Sequence, residues 1–150
     1  MSRTPTELAT FIAKYSPPIQ TQFRAARSHL KKLLTLGYEL VYDNYNGLGC
    51  GFSTTTKSSG IFISIVAYPK WITLFFFNGV RLPDPQRMLQ GSGVKIRSLR
   101  LQPFTLLKSA EVDALLAHAI NAVEVELAAA PKMTTVVKSV SAKQRPRRPK

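Results

Sequence analysis

Two apolar stretches, IFISIVAY at residues 61–68 and WITLFFF at residues 71–77, constrain this chain more than any other feature. Both are strand-sized, and neither alternates between apolar and polar residues. A strand that is apolar on both faces belongs inside a sheet or is covered on both sides. Only Pro69 and Lys70 connect the two stretches. We therefore predict two neighbouring central strands.

The residues around this pair predict helices at both ends of the chain. Residues 4–15 and 16–37 show apolar residues at helical spacing, with Thr6 and Ser16 as expected caps and Gly37 as the terminator. Tyrosine-rich residues 38–46 and the following GCGFSTTT predict two strands. Residues 109–130 predict one long helix capped by Ser109. The order indicates an α+β fold: roughly five strands in a mainly antiparallel sheet, with two N-terminal helices and one long C-terminal helix packed on it.

Residues 81–101 contain a Gly-Ser-Gly sequence beside several cations. Dinucleotide-binding and Walker loops need glycines after a strand and before a helix, with fixed spacing that this segment lacks. We expect Asp84 to cap a short helical turn and Gly91 to end it. Residues 94–101 should form a strand with a bulge near Arg97, because its apolar residues change face.

The net charge of +13 is unevenly distributed. Residues 131–150 hold seven of the 21 lysines and arginines and none of the eight acids. Such a composition has little apolar surface to bury on ordering. We predict one domain over residues 1–130 and a disordered basic tail over residues 131–150. The tail is either a non-specific nucleic-acid contact or a solubilising terminus.

A basic stripe on the second helix offers an alternative nucleic-acid surface. Arg24, Arg27 and Lys31 share one predicted helical face, which is either a phosphate contact or a solvated surface. Together with the tail, the candidate nucleic-acid residues are Arg24, Arg27, Lys31, Arg145, Arg147 and Arg148.

The residues do not predict an enzyme. Cys50 is the only cysteine, His29 and His118 lie on predicted helices, and the carboxylates are scattered. No nucleophile, zinc or paired-carboxylate pattern is present. We predict no catalytic residue, metal ligand or cofactor. No apolar run has the length of a membrane span, and the N-terminus lacks a signal-peptide pattern, so we expect a cytoplasmic protein.

A tyrosine and asparagine cluster predicts a ligand cleft. Tyr42 and Tyr45 lie in YDNYNGLGCGF, and tyrosines combine apolar rings with polar tips that suit a binding site. The alternative is an edge hairpin whose asparagine and glycine residues only form the turn.

Three segments together resemble the bacterial YdhG-like family, known as domain of unknown function 1801. They are residues 37–52, residues 61–101 with the pattern L-x-D-P…L-x-G-x-G…I-R, and DALLAHAINA. The resemblance covers about residues 7–125 and implies a small α+β fold with an antiparallel sheet. It directs attention to Lys70, Arg81, Asp84, Gly91, Gly93 and Arg97. Some members are described as frataxin-like iron chaperones.

These observations lead to three functional hypotheses. The first is a non-enzymatic domain that binds a small ligand or a protein through Tyr42, Tyr45, Lys70, Arg81 and Arg97. The second is association with nucleic acid through the basic tail and helix face. The third is iron handling, for which clustered carboxylates would be needed, whereas the first helix offers only Glu7.

Overall fold

The computed structural model describes residues 5–149, which contain four α-helices, three short 3-10 helices and six strands. The helices are α1 (Thr6–Ile12), α2 (Pro17–Leu33), α3 (Ala110–Asn121) and α4 (Glu124–Ala128). The strands are β1 (Tyr38–Asp43), β2 (Leu48–Ser53), β3 (Ile61–Ala67), β4 (Ile72–Phe76), β5 (Arg97–Arg100) and β6 (Thr134–Val140). No helix within residues 5–149 combines the length and apolar character needed to cross a membrane.

All six strands join one mixed sheet in the order β5-β4-β3-β2-β1-β6. Neighbours are antiparallel except β6, which runs parallel to β1. The α+β class is confirmed, whereas the sheet has six strands and a parallel edge where five mainly antiparallel strands were predicted. β3 and β4 lie inside the sheet, as their apolar sequences indicated.

The basic C-terminal segment requires a correction, because residues 134–140 form β6 where disorder was predicted. Its sequence TTVVKSV is rich in β-branched residues, which favour strands. Tyr38 to Asp43 would otherwise expose one row of backbone donors and acceptors at a sheet edge. Pairing with β6 satisfies these groups, an outcome that charge and overall composition do not reveal.

One face of the sheet carries the hydrophobic core. Leu8 and Ile12 of α1, Phe23 and Leu30 of α2, and Leu116 of α3 are buried against it. They meet alternate strand residues, namely Cys50, Phe52, Ile63, Ile65, Leu74 and Phe76. Helix starts follow the sequence closely: Ser16 is the N-cap of α2 ahead of Pro17, and Ser109 Oγ accepts a hydrogen bond from Val112 N at 3.2 Å.

Several local predictions are corrected. The N-cap of α1 is Pro5, one residue before the predicted Thr6. Gly37 adopts a positive φ of 110°, but it follows the end of α2 by several residues and lies in the connection to β1. The long closing helix is interrupted between α3 and α4, where Val123 leaves helical geometry.

The segment after β4 is also less regular than expected. No helical turn follows Asp84. Its carboxylate instead accepts hydrogen bonds from Met88 N and Leu89 N, each at 2.9 Å. Arg87 adopts a positive φ of 54°, which a helix does not allow. The following strand is confined to residues 97–100, so exposed Val94 belongs to the loop and no bulge is needed to explain the change of face.

Candidate ligand-binding site

The sheet face opposite the core helices carries a groove. Register places Tyr42 of β1 beside Gly49 of β2, and Gly49 beside Val66 of β3. The next row pairs Gly51 with Ser64. Small residues therefore occupy the middle of this face, with larger side chains on each side.

The groove has a volume of about 690 Å³. Aromatic rings, amides and hydroxyls line it, and no lysine, arginine, histidine, cysteine or carboxylate contributes. The lining residues are Tyr42, Asn44, Tyr45, Asn46, Gly47, Gly49, Gly51, Ser58, Ile61, Ser64, Val66, Tyr68, Phe77 and Ser141. This combination of apolar surface with a few polar groups is typical of small-molecule sites.

Two glycines of β2 form the groove floor. A Cβ on Gly51 would lie 2.7 Å from Ile61 Cδ1, because the Ile61 side chain already occupies that space. A Cβ on Gly49 would lie 3.6 Å from Val66 Cγ2, an ordinary contact. The space above Gly49 is therefore open to a ligand, and glycine is not required there for folding.

Tyr42 and Tyr45 differ in their environment. The Tyr42 side chain is half-buried, and its Oη is shielded from solvent without a hydrogen-bond partner in residues 5–149. Its hydrogen-bonding capacity is thus unused. The Tyr45 ring is 49% exposed, and the Arg145 guanidinium lies 5.6 Å from its centroid.

A second, basic pocket adjoins the groove and shares Asn46 and Tyr68 with it. Its volume is about 490 Å³. The remaining lining residues are Pro69, Lys70, Arg145, Pro146, Arg148 and Pro149. Lys70 comes from the β3–β4 turn, whereas the arginines come from the C-terminal segment, so the pocket exists only because that segment returns to the sheet.

Arg147 holds the C-terminal segment in place. Its guanidinium donates to Asp43 Oδ1 at 2.9 Å and to the backbone oxygens of Asn44 and Tyr45. Lys14 Nζ reaches the other Asp43 oxygen at 2.7 Å. Burial by itself would raise the pKa of Asp43, but its hydrogen bonds to Lys14 and Arg147 outweigh this effect and hold the pKa below the ordinary value of 3.8.

Lys14 is followed by a buried tyrosine that supports the same region. Tyr15 Oη donates to Ala67 O at 2.9 Å and accepts from Leu48 N at 3.0 Å. The Arg147 guanidinium lies 5.7 Å from the Tyr15 ring centroid. Burial raises the pKa of Tyr15 to about 12, so the hydroxyl stays neutral and keeps its role as donor.

Arg81 and Arg97 do not line the groove or the basic pocket. Arg97 Nη1 donates to Gly93 O at 2.6 Å and to Ile96 O at 2.8 Å. Its side chain packs over Gly79, where a Cβ would lie only 2.5 Å from Arg97 Cβ. Arg97 thus holds the loop before β5, while Arg81 is exposed beside Gly79. Of the five predicted ligand residues, the structure brings together Tyr42, Tyr45 and Lys70.

The basic stripe of α2 is not a continuous surface. Arg27 is only 6% exposed, and its Nε lies 2.6 Å from Glu39 Oε2. Lys31 is half-buried, and burial lowers its pKa. Arg24 remains exposed. Arg147 is also buried, which leaves Arg145 and Arg148 as the exposed arginines of the predicted basic tail.

The cysteine and the histidines lie outside the groove and the basic pocket. Cys50 is a buried residue of β2 in the hydrophobic core, and burial raises the pKa of its thiol well above the ordinary value, which makes it a poor nucleophile. His29 is half-buried, and burial together with Lys108 lowers its pKa. Residues 5–149 contain no group of three or more histidine, cysteine or acidic side chains placed to hold a metal ion.

Sequence reasoning missed the glycine floor, Tyr68 and Phe77, whereas it placed Asn44 and Asn46 beside Tyr42 in the predicted cleft. The spacing of Gly49 and Gly51 indicated a shared face, since residues two apart in a strand lie on the same side of the sheet.

Comparison of the chain with known protein families, curated proteins and solved structures found no match.

Proposed function

We propose that this protein is a non-enzymatic binding domain whose groove over Gly49 accepts a small ligand. The observation that carries the proposal is the groove itself, about 690 Å³ on the face opposite the core helices. Ligand pockets commonly measure about 300–1,000 Å³. The groove therefore suits a compound of metabolite size.

The lining favours binding over catalysis. A hydroxyl nucleophile is weak unless an adjacent imidazole, carboxylate or amine acts as its general base. None of these groups lines the groove. Its rings, amides and hydroxyls can instead hold a ligand by apolar contact and hydrogen bonds.

Membership of the YdhG-like family remains part of this proposal. Its support is the L-x-D-P…L-x-G-x-G…I-R segment, in which Asp84 organises the loop and Arg97 closes it against Gly79. A family member's structure should then show the same Asp84-type turn and the same six-strand order. A different strand order in that structure would show that this chain does not share the fold of the YdhG-like family.

A fragment screen followed by ¹⁵N chemical-shift mapping tests the groove. We expect bound fragments to shift the amides of Tyr42, Gly49 and Val66. Gly49→Leu should abolish these shifts by filling the floor, while leaving the remaining spectrum folded.

Ala114→Leu is the control, because Ala114 is exposed on α3, on the opposite face of the sheet from the groove, and lines neither the groove nor the basic pocket. Fragment binding should be unaffected by this change. Fragments that bind Gly49→Leu as well as the wild type, or that shift amides only elsewhere, would show that the groove is not the site.

A further inference from the structure

The junction between the groove and the basic pocket combines two different chemistries. The groove is neutral, whereas Lys70, Arg145 and Arg148 line the adjoining pocket. Asn46 and Tyr68 border both. A single molecule lying across this boundary would place an uncharged part over Gly49 and an anionic part beside the cations.

The cations of the pocket are not neutralised by acidic side chains. In residues 5–149, no carboxylate lies within 4 Å of Lys70, Arg145 or Arg148. Asp43 is near in the fold but is already bound by Lys14 and Arg147. The pocket therefore keeps an unbalanced positive charge, which is the environment that a phosphate group prefers.

The basic pocket is also held in position before any ligand arrives. Arg145 N donates to Tyr45 O at 2.9 Å, and its guanidinium lies against the Tyr45 ring. Arg148 Nε donates to Lys14 O at 3.1 Å. Because these contacts restrict the two arginines, binding a phosphate costs less conformational entropy than it would on a flexible tail.

We propose that the ligand is a mononucleotide, with its base and sugar in the groove and its phosphate in the basic pocket. This inference rests on the proposed function of the groove. The rings of Tyr42 and Tyr68 offer surfaces for a flat aromatic base, and Asn44 and Asn46 offer amide donors and acceptors for its edge.

A free nucleotide fits the distribution of charge better than a nucleic-acid strand does. Single-stranded nucleic acid is bound by cations that follow the backbone along the whole groove. The lining of this groove has no cation, and Lys70, Arg145 and Arg148 lie together in the pocket at one end. The basic pocket therefore accommodates the single phosphate of a mononucleotide.

Isothermal titration calorimetry on the full chain at low salt tests the proposal with three probes. These are adenosine 5′-monophosphate, adenosine and ribose 5-phosphate. We expect the nucleotide to bind at least about tenfold more tightly than either part, because charge-assisted hydrogen bonds add to ring contacts. A nucleotide that binds no better than adenosine would overturn the inference while leaving the groove as a site.

Variants assign each part of the ligand to its pocket. Lys70→Ala combined with Arg145→Ala should reduce nucleotide affinity about tenfold, to that of adenosine, without changing adenosine affinity. Gly49→Leu should weaken both. Lys132→Ala combined with Lys108→Ala removes two exposed lysines outside both pockets, is the charge-matched control and should change neither affinity. An equal loss in the control and in the double variant would show non-specific attraction and reject the pocket.

Two further results distinguish the inference from the proposed function. A thymidylate oligomer that binds more tightly than the mononucleotide would replace the free nucleotide with a single strand as ligand. If none of the three probes binds, the nucleotide assignment fails, and the fragment screen alone then decides whether the groove binds ligands.

Discussion

Arg147 donates a hydrogen bond to Asp43 Oδ1 at 2.9 Å across 104 residues of sequence. Both side chains are buried, with 4% and none of their surface exposed. The pair closes the C-terminal segment over the end of β1 and thereby builds the wall of the basic pocket. One buried ion pair thus connects the position of the chain end to the candidate binding site.

Arg147→Ala should lower the free energy of unfolding by about 3 kcal/mol, because it leaves Asp43 buried with only Lys14 as ionic partner. Urea denaturation followed by circular dichroism measures this loss. Arg148→Ala is the control. Arg148 is exposed and makes one backbone hydrogen bond, so its replacement should cost less than about 1 kcal/mol. Equal losses for the two variants would contradict a specific role of Arg147.

The lowered pKa of Asp43 predicts a defined loss of stability in acid. Because the folded-state pKa lies below 3.8, ionised Asp43 stabilises the fold above that pH. This contribution should disappear as the pH falls through the folded-state pKa. Asp43→Asn should be less stable than the wild type at neutral pH and show a shallower decline between about pH 5 and pH 2. Parallel unfolding curves for both proteins over this range would disprove the linkage.

The Arg27–Glu39 pair should be strongly coupled. Nε and Nη2 of Arg27 lie 2.6 and 2.8 Å from the two Glu39 oxygens, and Thr135 Oγ1 of β6 donates to Glu39 at 2.7 Å. Arg27→Met alone should cost about 4 kcal/mol by leaving a buried carboxylate uncompensated. Arg27→Met with Glu39→Leu should recover most of that loss in a double-mutant cycle. Additive effects of the two changes would show that the pair is not coupled.

Two glycines, one directly before β1 and one in the loop before β5, should respond differently to alanine. Gly37 has a φ of 110°, and a Cβ there would lie 2.8 Å from Ser53 O. Gly37→Ala should therefore destabilise the protein by about 2 kcal/mol. Gly93→Ala meets no neighbouring atom within 4 Å and should change the melting temperature little. A similar change in melting temperature for both variants would argue against strain at Gly37.

Much of the local structure could be predicted because it depends on neighbours in sequence. The apolar period of α2, the Ser109 cap and the apolar runs of β3 and β4 each carry their own signal. Tyr42, Tyr45 and Lys70 were predicted to belong to one site, and they line the groove and the pocket beside it. Arg81 and Arg97 were predicted for the same site but line neither the groove nor the basic pocket. For Arg97 the reason is its hydrogen bonds to Gly93 O and Ile96 O, which sequence proximity to a glycine-rich loop does not reveal.

The sequence by itself determined the apolar face of α2, because a helical period of 3.6 follows from backbone geometry. It also determined that β3 and β4 lie inside the sheet, because both are apolar on both faces. Tertiary structure alone decided the fate of the basic C-terminal segment. A cluster of cations is costly to bury, so its composition favours disorder until a fixed carboxylate compensates the charge. Asp43 supplies that carboxylate, and β1 supplies the edge that β6 needs. Both partners lie far away in sequence, and only folding brings them within reach.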